Sequence, residues 1–344
     1  MPPWHPPVVF AVAALVTYGL DLWLLQWFRD QRVGSAIRKQ GPETHQAKAK
    51  TPALGGAAFP VAYLLAMLVA VALLAGQGVL DLRSPGPLVG LALLLFLPTA
   101  SFLIGFADDY AKVTKKSSEG LKARYKFPLQ LLLGAILAYA VLRTYGNAYG
   151  MVLPFPDMAL RMSLLLLLFV VLYFSGTINA VNFTDGLDGL LAGTGTVALL
   201  VVAGLGYGWF PGQPAPIDPL VGHAALAGAG TLAGFYPLNR HPAKLFMGDG
   251  GAYFIGGLMA TVTVLQGTPF LFLIIGAVFY LEILSVMLQV AVFRATKGKR
   301  RLFPMTPLHH SFEVKGWPEE RVVALFWFAG LLFAVLGIGL GRAL

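Results

Sequence analysis

Cysteine is absent from all 344 residues, which excludes a disulfide framework and any cysteine-ligated metal site. Charge is nearly as scarce. Charged residues make up 12% of the chain, against roughly 25% in ordinary soluble domains, while 57% of residues are apolar. No loop is long enough for a separate soluble domain, so residues 1–344 are expected to form a single polytopic domain. The alternation of a transmembrane β-barrel is missing, because the apolar runs are continuous. A cationic leader with a small-residue cleavage site is also missing, so the first apolar run is expected to be retained. There is no convincing internal repeat, which counts against inverted-repeat transporters.

What remains is a series of apolar runs of the length that crosses a bilayer as helices. Ten are expected, at about 8–27, 53–76, 87–107, 127–144, 160–181, 189–208, 221–238, 250–266, 269–293 and 322–341. The fold class is therefore an all-α integral membrane protein. The external segment between residues 145 and 159 has the glycines and prolines of a short hairpin or an irregular cap. Basic residues set the orientation: 21 of the 25 fall in alternate loops on one face, leaving Arg83, Arg143, Arg161 and Arg342 on the other. By the positive-inside rule that face is cytoplasmic and both termini are external. The net charge of +9 sits in these juxtamembrane loops, so it points to anionic lipid and topology rather than to nucleic acid.

Against that scarcity, five aspartates gather on the cytoplasmic face: Asp108, Asp109, Asp185, Asp188 and Asp249. Carboxylates clustered at one face suggest a divalent cation and a phosphate-bearing substrate. Asp108 and Asp109 end the third run, pointing about 100° apart on a helix. They suit metal binding and proton abstraction, or they are solvated acids facing Lys112 and Lys115. In Asn179–Gly189, the residues Asn179, Asn182 and Asp185 recur every third position and are expected to share a helical face, with Gly186 and Gly189 allowing close backbone approach. The segment suits a base, a ribose or a metal-bound water, or is a polar connector; it lacks the spacing of an EF-hand.

In Asn239–Gly251, Asp249 opens the eighth run, where the positive helix end favours a carboxylate, and Phe246 is placed to stack on a base. His309 and His310 could bind metal, meet a diphosphate or move protons, or lie solvated in a basic loop. Lys48 and Lys50 precede Gly55 and Gly56, small residues that permit close helix contact. Asp21 and Glu282 lie inside apolar runs, where an unpaired charge costs roughly 2.5–3.5 kcal/mol, and the sequence names no partner for either.

Together, the segments Gly41–Gly56, Gly105–Tyr110, Asn179–Gly189, Asn239–Gly251 and Pro307–Trp317 resemble the bacterial phospho-N-acetylmuramoyl-pentapeptide transferases of the polyprenyl-phosphate N-acetylhexosamine-1-phosphate transferase superfamily. The resemblance spans nearly the whole chain. It implies transfer of phospho-MurNAc-pentapeptide from UDP-MurNAc-pentapeptide to undecaprenyl phosphate in the bacterial inner membrane, with Mg2+, giving lipid I and UMP; it is also compatible with a homodimer. It implies Asp249 as metal ligand, with Asp108 and Asp109 as essential acids and Asp108 as base or nucleophile. Lys48, Asn179, Asn182, Asp185, Asp188, Asn239 and Phe246 would line the nucleotide site. Lys112 and Lys126 would meet phosphates, with His309 and His310 near the diphosphate. The chain departs from the family where Ser311 replaces a third histidine and Ala53-Leu54 a threonine-methionine pair. A sibling transferase using UDP-GlcNAc is the alternative within the enzyme class, and a cation-coupled transporter is the alternative outside it.

Overall fold

A computed structural model describes residues 2–31, 51–115, 120–146, 149–153, 159–161, 163–210 and 219–341. Twelve helices are found among them: α1 (His5–Gln31), α2 (Phe59–Gly76), α3 (Pro85–Lys115), α4 (Ala123–Tyr145), α5 (Leu164–Thr184), α6 (Leu190–Tyr207), α7 (Pro219–Asn239), α8 (Gly248–Leu265), α9 (Pro269–Ile275), α10 (Ala277–Ala295), α11 (Leu308–Val314) and α12 (Glu319–Gly341). A 3-10 turn at Gly55–Ala58 leads into α2. Between α4 and α5, β1 (Gly150–Val152) pairs antiparallel with β2 (Ala159–Arg161), the hairpin of the two forms expected there, and β2 takes residues expected to begin the fifth run.

Helix occurs at all ten expected positions, and eight helices (α1 to α6, α10 and α12) are long and apolar enough to cross a membrane. Their outer faces carry large apolar side chains that water would not tolerate in such number, among them Leu164 at 82% exposure and Leu165 at 79%. This is a multi-pass membrane protein. Helices α7 and α8 lack the apolar composition of the other eight, being built largely from glycine, alanine and threonine, and nearly every residue in them is buried. Their neighbours are other helices, so they need small surfaces rather than greasy ones.

The ninth expected run is not one helix. It breaks at Gly276, whose amide donates to the Phe272 carbonyl at 2.7 Å, and α10 starts at the next residue. The third run is longer than expected, because α3 continues through Lys115 and carries Asp108, Asp109 and Lys112 on its last turns.

Helix α8 lies between α3 and α5, and α7 between α1 and α6. The α1–α7 contact rests on Gly230 and Gly234, one turn apart. A methyl group at either would fall 2.3 Å from the Phe10 carbonyl oxygen or 2.2 Å from that of Ala14. Only glycine lets the backbones meet this closely. The tightly packed α3–α8–α5 core fixes where the polar helix ends meet.

Candidate active site

Two helix ends bring three of the candidate acids together. Asp108 and Asp109 lie near the end of α3 and Asp249 in the first turn of α8, and their carboxylate oxygens come within 4.8 Å of one another. Gly105 makes this possible: a side-chain carbon there would sit 2.3 Å from the Asp249 carbonyl oxygen. The Lys112 ammonium stands where the carboxylates converge, 2.7 Å from Asp108, 3.0 Å from Asp249 and 3.5 Å from Asp109. Lys126 of α4 reaches Asp108 at 3.1 Å and Asp249 at 3.6 Å. The backbone closes over the site, with Leu121 N–H donating to Asp108 at 2.6 Å and Gly250 N–H to Asp109 at 2.9 Å. Three carboxylates against two ammonium groups leave a formal negative charge, and oxygen-only donors of this kind could hold a hard divalent cation. The lysine already in their midst shows that the cluster accepts positive charge.

The α5–α6 connection forms a second wall. Gly189, at φ +79°, takes the left-handed conformation that starts α6, and the Asn239 side chain clasps it. Asn239 accepts from Gly189 N–H at 3.0 Å and donates to the Leu245 carbonyl at 3.1 Å, tying this connection to the loop before α8. Both ends of its amide thus serve the architecture. Asp188 accepts from Ala243 N–H at 2.9 Å, with His241 Nδ1 3.1 Å away, while its own N–H donates to Glu319 of α12 at 2.7 Å. Asp185 ends α5 half-buried. Burial, then the charges of Asp249, Asp109 and Asp188, push its carboxyl up to about 8. A bound cation would reverse the electrostatic part of that effect.

Asn179 is placed differently from the expected shared face. Its amide donates to Gln130 of α4 at 2.6 Å and to the Ser175 carbonyl at 2.8 Å. Six residues along a helix turn through 600°, so Asn179 and the position of Asp185 diverge by about 120°. Asn182 is half-buried on the last turn of α5. Phe246 is half-buried, and its backbone pairs with residues 52 and 55, laying the approach to α2 alongside the loop before α8. Gly56 packs there against Gly251, the close contact expected of it.

The two histidines of α11 part company. His309 is fully buried beside Glu282 of α10, Nδ1 to Oε1 3.2 Å, whereas His310 lies 2.6 Å from Glu313 on its own helix. Ser311 is bonded to both backbone groups of Met305, accepting its N–H at 3.3 Å and donating to its carbonyl. The departure from histidine is therefore filled by a loop fastening. Lys48 lies outside the described residues.

Several neighbours were not singled out in the sequence. His241 and Glu319 join Asp188 in a second carboxylate–imidazole group, within 4.8 Å of one another. Glu319 opens α12, where first-turn acids usually serve the helix dipole, so its sequence context points to no ligand. Gln130 reads as one polar residue in an apolar run.

Comparison with known proteins places the chain in a family. The family model for Glycosyl transferase family 4 matches residues 91–267, a stretch that contains all five aspartates. Over nearly its whole length the chain is similar to curated phospho-N-acetylmuramoyl-pentapeptide-transferases. That of Symbiobacterium thermophilum is 42% identical over 315 residues, 90% of this chain and 87% of the relative. That of Heliobacterium modesticaldum is 43% identical over 336 residues, covering 96% and 95%. That of Geobacillus kaustophilus is 41% identical over 341 residues, covering 98% of each. The apolar helices and the family match together define a membrane-embedded glycosyl transferase. Within glycosyl transferase family 4, the chain belongs to the phospho-N-acetylmuramoyl-pentapeptide transferases.

Proposed function

We propose that this protein moves phospho-MurNAc-pentapeptide from UDP-MurNAc-pentapeptide onto undecaprenyl phosphate, releasing UMP and forming lipid I for peptidoglycan. The observation that carries the reading is the convergence of Asp108, Asp109 and Asp249 on two lysines at the ends of membrane-scale helices. Phosphoryl transfer between two anions demands charge neutralisation and in-line positioning. One substrate is water-soluble and the other is anchored in lipid, so the site must open at the membrane surface. Acids at helix ends meet that demand.

Asp108, Asp109 and Asp249 would hold Mg2+, with Asp249 the principal ligand. Bound there, the ion supplies neutralisation of the diphosphate charge. Lys112 and Lys126 bind phosphate oxygens as point charges. Asp108 is held by Leu121 N–H and both lysines. These three donors stabilise the ionised carboxylate and weaken it as a base, so the role of Asp108 as base or nucleophile rests on the family resemblance. Asp185, Asp188, Asn182 and Phe246, with Lys48, form the nucleotide wall, and Asn239 and Asn179 support it from behind. By the distribution of lysine and arginine, this face is cytoplasmic in a bacterial plasma membrane.

The test is UMP release by purified protein given Mg2+, undecaprenyl phosphate and UDP-MurNAc-pentapeptide. Release with UDP-GlcNAc but not with the muramoyl donor would move the chain to the sibling activity. Isotope from labelled donor remaining on the protein in the absence of lipid phosphate would replace direct transfer by a covalent intermediate.

A further inference from the structure

Glu282 is a carboxylate in an apolar helix, and the transfer chemistry makes no use of it. It is fully buried, and neither of its oxygens has a hydrogen-bond partner. His309 Nδ1 lies 3.2 Å from Oε1, at ion-pair distance but off the line of a hydrogen bond, and this ring is itself fully buried with no hydrogen-bond partner for either nitrogen. Such burial of a carboxylate is costly unless a cationic or N–H group faces it. The opposite edge of the ring reaches the nucleotide wall: a side-chain carbon at Gly186 would lie 2.2 Å from His309 Nε2. The imidazole is thus gripped between a carboxylate on α10 and a glycine backbone between Asp185 and Asp188.

We propose that Glu282 is the positioning residue of His309, accepting from Nδ1–H so that Nε2 is presented to the Gly186 side of the site. A carboxylate behind an imidazole selects the tautomer and fixes the ring plane, as in metal sites and hydrolytic triads on unrelated folds. Gly186 has a matching role, since any larger residue would push the ring off its seat. Glu282 acts through His309 and touches no substrate. The inference rests on the reading of His309 as part of the transferase site.

Three variants test it: Glu282→Gln, which keeps the shape and removes the charge, Gly186→Ala, which presses on the ring from the other side, and His309→Ala. Loss of a residue that orients a functional group costs roughly 10–100-fold in activity. Glu282→Gln is expected to lower kcat for UMP release by that factor with the KM for the nucleotide sugar held within about twofold. In the His309→Ala background, neither Glu282→Gln nor Gly186→Ala should reduce the remaining rate further. Nitrogen-15 NMR of the imidazoles, with the His309 signals identified by their loss in His309→Ala, should show the proton on Nδ1 in the native protein and on Nε2 in Glu282→Gln. Unchanged kcat and tautomer in Glu282→Gln, with His309→Ala inactive, would overturn the positioning role alone. Additive losses in the double variants would make Glu282 a structural residue. Full activity of His309→Ala would remove the ring from the site, and Glu282 would then have nothing to position.

Discussion

Replacing Gly105 by alanine places a methyl carbon 2.3 Å from the Asp249 carbonyl oxygen, 2.5 Å from its carbonyl carbon and 2.7 Å from the Gly250 nitrogen. All three are backbone atoms of α8, so no side chain can turn aside. Ordinary contact begins at 3.4 Å, which requires α3 and α8 to part by about 1 Å at this level. Overpacking of this kind costs about 1–3 kcal/mol of stability, which leaves a protein folded when the rest of the α3–α8 contact persists. Activity should suffer far more. Asp108 and Asp109 ride on α3 and Asp249 on α8, while ion ligands hold position to within about 0.2 Å. A misplacement of about 1 Å costs roughly 100-fold. The expected result is a thermal unfolding temperature in detergent lowered by several degrees and UMP release reduced about 100-fold, without recovery at high Mg2+. A folded Gly105→Ala protein with near-native turnover would refute the claim that the α3–α8 approach sets the site.

Asp249→Asn should abolish turnover, and near-normal rates at saturating Mg2+ would remove Asp249 from the metal site. Asn239→Ala leaves the Gly189 N–H and the Leu245 carbonyl without their partner. Each unsatisfied buried group costs about 1–3 kcal/mol, which should appear in thermal unfolding before it appears in KM for the nucleotide. In metal-free protein, Asp185 titrates near 8 in the folded state, above its value in the unfolded chain. The native state therefore keeps a proton that the unfolded chain gives up, and stability should fall as pH rises from about 4 towards 8, a slope that Asp185→Asn should flatten. Because the chain has no cysteine, single cysteines placed at Lys299 and Asp81 report topology directly. A membrane-impermeant thiol reagent added outside intact cells should label the Asp81 site and spare the Lys299 site.

How much of this could be read without coordinates differs from residue to residue. Asp108 and Asp109 announce themselves because a membrane segment that ends in two acids stands out against a chain so poor in charge. Asp249, framed by glycines at a helix start, is readable for the same reason. For Asn239 and Asn179, an amide in a motif carries no sign of what it bonds to within the fold. Only the coordinates show that Asn239 clasps two loops and that Asn179 links α5 to Gln130 of α4. Glu282 and His309 lie 27 positions apart in sequence with a helix end and a basic loop between them, and no periodicity joins them. Gly105 reads as an ordinary small residue until Asp249 is found against it.

The linear chain determined the membrane class, the positions of the helices, the basic face and the acids that cluster there. Each follows from local composition, since lipid penalises any unsatisfied polar group and the penalty can be read one segment at a time. Tertiary structure alone decided that α7 and α8 are sheathed in protein, that the ninth run breaks at Gly276, and which acids share the Lys112 ammonium. Those outcomes depend on distances between helices, and such distances are set by pairs of residues far apart in sequence, Gly105 with Asp249 and Gly186 with His309.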